Sequence, residues 1–249
     1  MDLTDKVALI TGGTKGIGAA AAVALAQRGA HVAINGRNDD ADAAGIRRQI
    51  EQLDRKCVLV LGDVSQPDTA TRCVDETVAK LGSVDVLIHS AGAATPGTIF
   101  DVEPDDWMKA FDVHVHAVYH LCRAAVPVMR ARKEGAILLI SSVAAMRGCP
   151  GTICYQTVKG ALPQMARALA RDFADDNIRV NAVAPGIIRT RFHDGMTEEA
   201  KQHNLANRIP LHREGTPEDV ATLITELVTN DFVTGETVTI DGGMTMRMV

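Results

Sequence analysis

Residues 6–18 read KVALITGGTKGIG, an apolar run, a glycine-rich loop and the opening of a helical pattern. Gly12 permits a tight turn after the strand, Gly16 lets a backbone approach a pyrophosphate, and Gly18 lets helix and strand pack closely. The helix that starts here offers free N–H groups and the positive end of its dipole to a phosphate. The stretch therefore predicts a strand–loop–helix unit built to hold a dinucleotide.

The same alternation continues outward from it. Further apolar runs are HVAIN (31–35), CVLVL (57–61), VDVLIH (84–89), AILLIS (136–141), IRVNAVA (178–184) and TVTID (237–241). Most are continuously apolar, as parallel strands covered on both faces should be. Helical patterns lie between them at about 17–29, 39–54, 67–81, 104–131, 153–175 and 217–229. Strand–helix–strand repetition implies right-handed crossovers. The expectation is a single-domain α/β Rossmann fold over 1–249, a doubly wound parallel sheet of about seven strands with helices on both faces. Residues 185–217, PGIIRTRFHDGMTEEAKQHNLANRIPLHREGTP, break the pattern with a polar, charged segment. An excursion of that length in a compact domain predicts a substrate lid at about 187–213, or simply a solvated loop.

Composition narrows the function classes. The 249 residues carry a net charge of −5 with no long basic run, so nothing favours nucleic acid or an anionic membrane as partner. No apolar stretch approaches the ~20 residues a membrane helix needs, and MDLTDKVALITGG lacks a signal-peptide layout. Five cysteines, Cys57, Cys73, Cys122, Cys149 and Cys154, show no metal-ligand spacing and suit a reduced, cytoplasmic setting.

The chemistry is concentrated in Ser142-VAAMRGCPGTIC-Tyr155-QTV-Lys159. A Tyr and a Lys at i and i+4 share one helix face. A free phenol ionises near pH ~10, and a neighbouring ammonium is expected to lower that value toward a useful range. Ser142 supplies a small hydroxyl to orient a substrate oxygen. Cofactor choice follows from Ala33-Ile34-Asn35-Gly36-Arg37-Asn38 at the end of the second strand. Sites for NAD place an acid there to hold the ribose hydroxyls; Gly36 offers none. Arg37 can bind a 2′-phosphate and Lys15 adds a second charge, so NADP(H) is expected over NAD(H).

With these motifs in order, the chain resembles the short-chain dehydrogenase/reductase family in its form of about 250 residues, including 3-oxoacyl reductases. The resemblance runs from Lys6 to Gly243. It is carried by TGGTKGIG, Gly62-Asp63-Val64, Ala91-Gly92, Ser142/Tyr155/Lys159, Asn181, Pro185-Gly186, Thr190 and Asp241-Gly242-Gly243. It implies hydride transfer between NADP(H) and a ketone or secondary alcohol, with Tyr155 as general acid/base, Ser142 as oxyanion donor and Lys159 on the nicotinamide ribose. The cofactor would meet Gly12, Thr14, Lys15, Gly16, Ile17, Gly18, Arg37, Tyr155 and Lys159. Asp63 and Val64 would contact adenine, Ala91 and Gly92 the adenosine, and Pro185, Gly186, Ile188 and Thr190 the nicotinamide side. A homotetramer through the long fourth and fifth helices and the last strand is also implied, with the apolar tail 244–249 in the interface.

Two stretches depart from the family's pattern, and a proline inside the catalytic helix is a third oddity. His114 stands where relatives have an Asn that supports a proton relay, so it either takes over that relay or packs passively. His89-Ser90 replaces Asn-Asn, so the bonds bracing the sheet centre must be made differently. Pro163, inside the catalytic helix, frees the carbonyl of Lys159 and predicts a bend or a compensating water. The substrate wall is expected from Val143, Ala144, Met146, Arg147, Cys149, Pro150 and the lid. Arg147, Arg189, Arg191 and His193 are candidate binders of a carboxylate, a phosphate or sugar hydroxyls. Arg130, Arg132 and Lys133 either dock an acidic carrier protein or satisfy a helix C-terminus. A 3-oxoacyl carrier-protein reductase, a sugar or polyol dehydrogenase and a non-catalytic NADP-binding regulator stand as alternatives. A nucleotide-sugar epimerase would need a larger C-terminal region.

Overall fold

The computed structural model describes residues 1–246. Strands β1 (Val7–Thr11), β2 (His31–Gly36), β3 (Cys57–Leu61), β4 (Val86–His89), β5 (Gly135–Ile140), β6 (Ile178–Pro185) and β7 (Thr237–Ile240) form one parallel sheet, in the order β3-β2-β1-β4-β5-β6-β7. Helices α1 (Gly16–Gln27), α2 (Ala41–Glu51) and α8 (Pro217–Thr229) cover one face. Helices α3 (Pro67–Leu81), α5 (Ala117–Arg132) and α6 (Ile153–Phe173) cover the other. This is the single-domain, doubly wound seven-stranded fold expected.

The continuous apolar runs are explained by burial on both faces. Leu9, Leu87, Ile137 and Leu139 pack with Val74, Leu121 and Leu162. Their strand neighbours Ile10, Ile88 and Leu138 pack with Leu25, Ile50 and Ile224 on the opposite face. Successive side chains alternate sides, so a strand loaded on both must be apolar throughout. Helix starts follow local chemistry: Asp40 accepts from the amide of Ala43 at 3.0 Å, and Thr216 and Asp219 form a reciprocal capping box.

Three differences from expectation bear on the site. First, the segment 104–131 is not one regular helix: α4 (Pro104–Phe111) joins α5 through a π turn, Asp112–His116, centred on His114. Second, the excursion after β6 contains a short helix, α7 (Glu198–His203), followed by a second π turn at Asn204–Arg208. Its ends are tied together where Ile188 pairs with Gly215, with Arg189 N–H on the Gly215 carbonyl at 2.9 Å. Third, α6 continues through Pro163, and the carbonyl of Lys159 that this proline frees accepts from the Ser141 hydroxyl at 2.8 Å. The compensation comes from a serine of the chain itself.

His89 makes the central bonds in its own way. It is buried, with Nε2–H donating to the Val113 carbonyl at 3.0 Å and Nδ1 accepting from the Thr11 hydroxyl at 2.9 Å. Burial pushes its pKa down to about 3, so it braces β1, β4 and the π turn as a neutral ring. Residues 247–249 of the apolar tail lie outside the described residues; Met246 is exposed. Among the described residues, no helix is long and apolar enough to cross a membrane, and no cluster of His, Cys, Asp and Glu could hold a metal ion.

Candidate active site

The chain order reverses between β1 and β4, which places a crevice at their C-terminal ends, the usual ligand position in such sheets. The glycine loop and residues 89–92 meet there. At Gly18 an added Cβ would lie 2.3 Å from the Gly12 carbonyl oxygen, so only glycine lets α1 sit this close to its own loop. Gly12, at φ +65°, would place a Cβ 2.8 Å from the Ala91 amide nitrogen. Lys15 stands at the N-cap of α1 and gives no side-chain cap, and the first turn carries no acid. Those amides are thus left to an anion, and the cradle fits a pyrophosphate. Thr190 lies over the loop, its Cγ2 3.3 Å from where a Gly16 side chain would begin.

Around the second strand the charges are arranged differently from expectation. Gly36 carries no carboxylate, and a side chain there would begin 2.6 Å from Thr14 Cγ2 and require Thr14 to turn aside. Arg37 is exposed, and its guanidinium makes no hydrogen bond or ion pair among the described residues. Lys15, expected as a second phosphate ligand, is already held by Asp40 at 2.7 Å and Asp42 at 3.2 Å, and these carboxylates raise its pKa. Arg191 completes the cluster with two bonds to Asp42, at 2.8 and 3.1 Å. Asp63 is exposed, with its carboxylate accepting from the Ser65 amide, whereas Val64 is a core side chain, 3% exposed. Ala91 is half-buried and Ile188 buried.

At the other end, β5 and α6 bring Ser142, Tyr155 and Lys159 together. Lys159 is anchored twice: Nζ donates to the Ile140 carbonyl at 2.7 Å, and its own carbonyl takes the Ser141 hydroxyl. Ser142 Oγ accepts from the Ala144 amide at 3.2 Å, capping the 3-10 turn Val143–Ala145, and hydrogen-bonds the Tyr155 phenol. The ammonium sits 5.7 Å from the centre of the Tyr155 ring.

These contacts do not lower the phenol pKa as the i, i+4 argument expects. Burial raises it, the Ser142 hydrogen bond opposes that, and the nearby Cys149 adds to it. Lys159 gives little help because its own burial lowers its pKa to about 7, leaving it part-neutral where it would act. Hydrogen-bond acceptors on a cofactor ribose placed beside it would favour its charged form.

His114 is buried in the π turn, with its ring edge-on to Tyr155 at 6.1 Å between centres. Nε2–H donates to the Ala93 carbonyl at 3.0 Å, which leaves Nδ1 as a buried acceptor without a partner. Burial and the Lys159 charge push its pKa down to about 2. His114 therefore stays neutral, and any share in proton transfer must run through hydrogen bonding at Nδ1. Its ring fills the space beside Gly92, where an added Cβ would lie 2.0 Å from Cε1. Gly92→Ala is expected to destabilise by about 1–3 kcal/mol through overpacking. The loss should shrink by about 1 kcal/mol when His114→Asn shortens the opposing side chain, a coupling that a double-mutant cycle in urea measures.

On the substrate side, Phe192 lies against Tyr155, with ring centres 5.8 Å apart, and remains 47% exposed. Gln156 pairs its amide with the Cys149 peptide, Nε2 to O at 2.6 Å and N to Oε1 at 3.0 Å, and so fixes the turn after Ser142. Neither residue stands out in the sequence, because each acts through a neighbour brought close by folding. The basic candidates are engaged elsewhere: Arg147 on the Thr245 carbonyl at 2.9 Å, Arg189 on Glu214 at 2.9 Å, and His193 Nδ1 on the Ile188 carbonyl at 2.9 Å.

A family model described as Enoyl-(Acyl carrier protein) reductase matches residues 12–245. The 3-oxoacyl-[acyl-carrier-protein] reductase of Chlamydia muridarum is 33% identical, over 97% of this chain and 98% of its own. Among solved structures, L-sorbose reductase from Gluconobacter frateurii, complexed with NADPH and L-sorbose, aligns with a TM-score of 0.93 at 30% identity over 100% of both chains. A blue fluorescent protein from a metagenomic library, in complex with NADPH, aligns with a TM-score of 0.91 at 31% identity, covering 98% of this chain and 99% of that one.

Proposed function

The chain belongs to the short-chain dehydrogenase/reductase family, and from that premise we propose that it works with NADP(H) in preference to NAD(H) through Tyr155, Ser142 and Lys159. It is an oxidoreductase of ketone and secondary-alcohol pairs. The observation that carries the cofactor preference is the pairing of Gly36, which offers no carboxylate, with an exposed Arg37 guanidinium that makes no hydrogen bond or ion pair among the described residues. A 2′-phosphate meets no carboxylate at position 36 and finds a fork-shaped donor beside it.

The nicotinamide cofactor, when bound, supplies the hydride that reduces the carbonyl carbon. The chain's own residues handle the oxygen. The Tyr155 phenol is protonated across the neutral range and gives its proton to the carbonyl oxygen. The Ser142 hydroxyl donates to the same oxygen as its negative charge develops. Lys159, fixed to the end of β5, offers its ammonium to the cofactor ribose and stabilises the phenolate that Tyr155 becomes. In oxidation the phenolate accepts the alcohol proton. Gly12, Gly16 and Gly18 with the α1 amides hold the pyrophosphate; Ala91, Gly92, Ile188 and Thr190 line its path.

Arg37→Ala is expected to lower kcat/KM for NADPH by about 10–100-fold, the worth of a charge-assisted hydrogen bond, and to leave NADH within about twofold. Initial rates with both cofactors decide it: equal use of NADH and NADPH by the parent would overturn the preference.

A 3-oxoacyl carrier-protein reductase is the second reading, favoured by the relative in Chlamydia muridarum. The reading extends to a homotetramer in a reducing, cytoplasmic setting. Exposed Phe100, Met108 and Tyr119 along the long-helix side, and five free cysteines, support it. Light scattering of the purified chain measures the assembly.

A further inference from the structure

Among the described residues, the basic groups around the mouth of the site are bound to the protein itself. Arg189 is held by Glu214, whose side chain is only 7% exposed, and Arg191 by two bonds to Asp42. Arg213 is held by Asp219 at 2.6 Å, and Arg147 is turned to the Thr245 carbonyl. A substrate carboxylate or phosphate would have to displace an existing partner, exchanging one ion pair for another with little net gain. The basic cluster at the end of α5 is committed in the same way. Arg130 and Lys133 share Asp176, at 2.5 and 3.0 Å, and Arg132 reaches the buried Asp85 at 2.8 Å. That cluster therefore presents paired charge, not open cations, to an acidic carrier.

What stays open beside the proton donor is apolar. Phe192 tilts at 43° against the Tyr155 ring and leaves about half its surface to solvent, an arrangement that shields one side of the phenol and offers a flat face next to it. Met146, directly after the turn capped by Ser142, is 41% exposed. The Phe192 ring stands 5.8 Å from the phenol ring centre, placed to pack along a substituent of the carbonyl the phenol serves.

We propose that Phe192 is a specificity-determining residue and that the substrate is a free, uncharged ketone or alcohol carrying a flat apolar group, not a sugar, an oxo acid or a carrier-bound acyl chain. This rests on the oxidoreductase reading above. Phe192 packs along the apolar group and Tyr155 addresses the oxygen; no ion pair contributes to recognition.

The test compares an aryl alkyl ketone, acetone, a free ketose and a 2-oxo acid, each with NADPH and with NADH, on the parent and on Phe192→Ala. The aryl ketone is expected to exceed the ketose and the oxo acid in kcat/KM by at least about tenfold. Phe192→Ala should remove about tenfold of that through KM, with a smaller loss for acetone and an unchanged melting temperature. Preference for the ketose or the oxo acid overturns the proposal, as does an equal loss on all four substrates. So does a carrier-bound 3-oxoacyl thioester outperforming the aryl ketone. If no ketone turns over with either cofactor, the proposed function fails, and saturation-transfer NMR then reads binding of the aryl ketone alone. Binding weakened by Phe192→Ala supports the apolar wall; no binding, or binding equal in both, overturns it.

Discussion

Replacing Tyr155 by phenylalanine is expected to lower kcat by about 10²–10⁴-fold, the share that a positioned general acid contributes. The ring contacts with His114 and Phe192 survive the change, since both are made through the ring and not the hydroxyl. Cofactor affinity should stay within about twofold, so the loss falls on the chemical step. The parent has a distinctive pH behaviour, because burial raises the phenol pKa. Ketone reduction needs the protonated phenol and should be flat through neutral pH. Alcohol oxidation needs the phenolate and should climb through the alkaline range. Stopped-flow rates in the two directions, against pH, check both; a Tyr155→Phe enzyme with more than a tenth of parental kcat would remove Tyr155 from the mechanism.

Lys159→Met should abolish turnover by a comparable factor and yet make the chain more stable. The lysine is buried, with its pKa lowered to about 7, whereas in the unfolded chain it titrates near 10.5. The folded state therefore binds fewer protons between those values, and stability rises with pH across that window. The penalty for burying the ammonium is complete at and below pH 7 and gone above 10.5. Methionine carries no such penalty but leaves the Ile140 carbonyl without its donor; of the roughly 4–5 kcal/mol that the shift from 10.5 to about 7 represents, the variant should keep on the order of 2 kcal/mol at pH 7. The advantage should fade as pH approaches 10.5. Urea unfolding of both proteins at pH 6, 7, 8.5 and 10 reads this directly; a pH-independent difference would mean that the lysine is not charge-strained.

The parts of this molecule that could be read in the sequence are those written in local spacing. Seven apolar runs with helical patterns between them specify the sheet, because a strand buried on two faces has no choice but to be apolar. Gly12, Gly16 and Gly18 announce the loop because they fall in one eight-residue motif, although only Gly18 relieves a conflict inside it; Gly12 makes room for Ala91 and Gly16 for Thr190. Ser142, Tyr155 and Lys159 stand close in the chain, and the structure places them at one end of β5 and α6.

What escaped the sequence was made by folding. The π turn at Asp112–His116 adds one residue to a helix without altering its composition, so nothing in 104–131 signals it. Asp40 and Asp42 sit more than twenty residues from Lys15 and neutralise it only after α2 docks. The i, i+4 rule placed Lys159 beside Tyr155 but carried no information on the burial that discharges it. The solvent exclusion of His114 is likewise a property of the packed π turn, invisible in its neighbours along the chain.

The bond from Ser141 to the carbonyl of Lys159 has a further consequence. Pro163 withholds one amide from α6, and Ser141, the first residue after β5, supplies the missing donor. Helix and sheet can satisfy that carbonyl at a single axial offset, so the bond works as an alignment pin. The acid–base pair is thereby inherited with the framework, whereas the turn after Ser142 and the segment after Ile188 hang from it as exchangeable parts. A lineage can replace those parts to meet new ketones without re-cutting the catalytic geometry, provided that Ser141 and Pro163 change together or not at all.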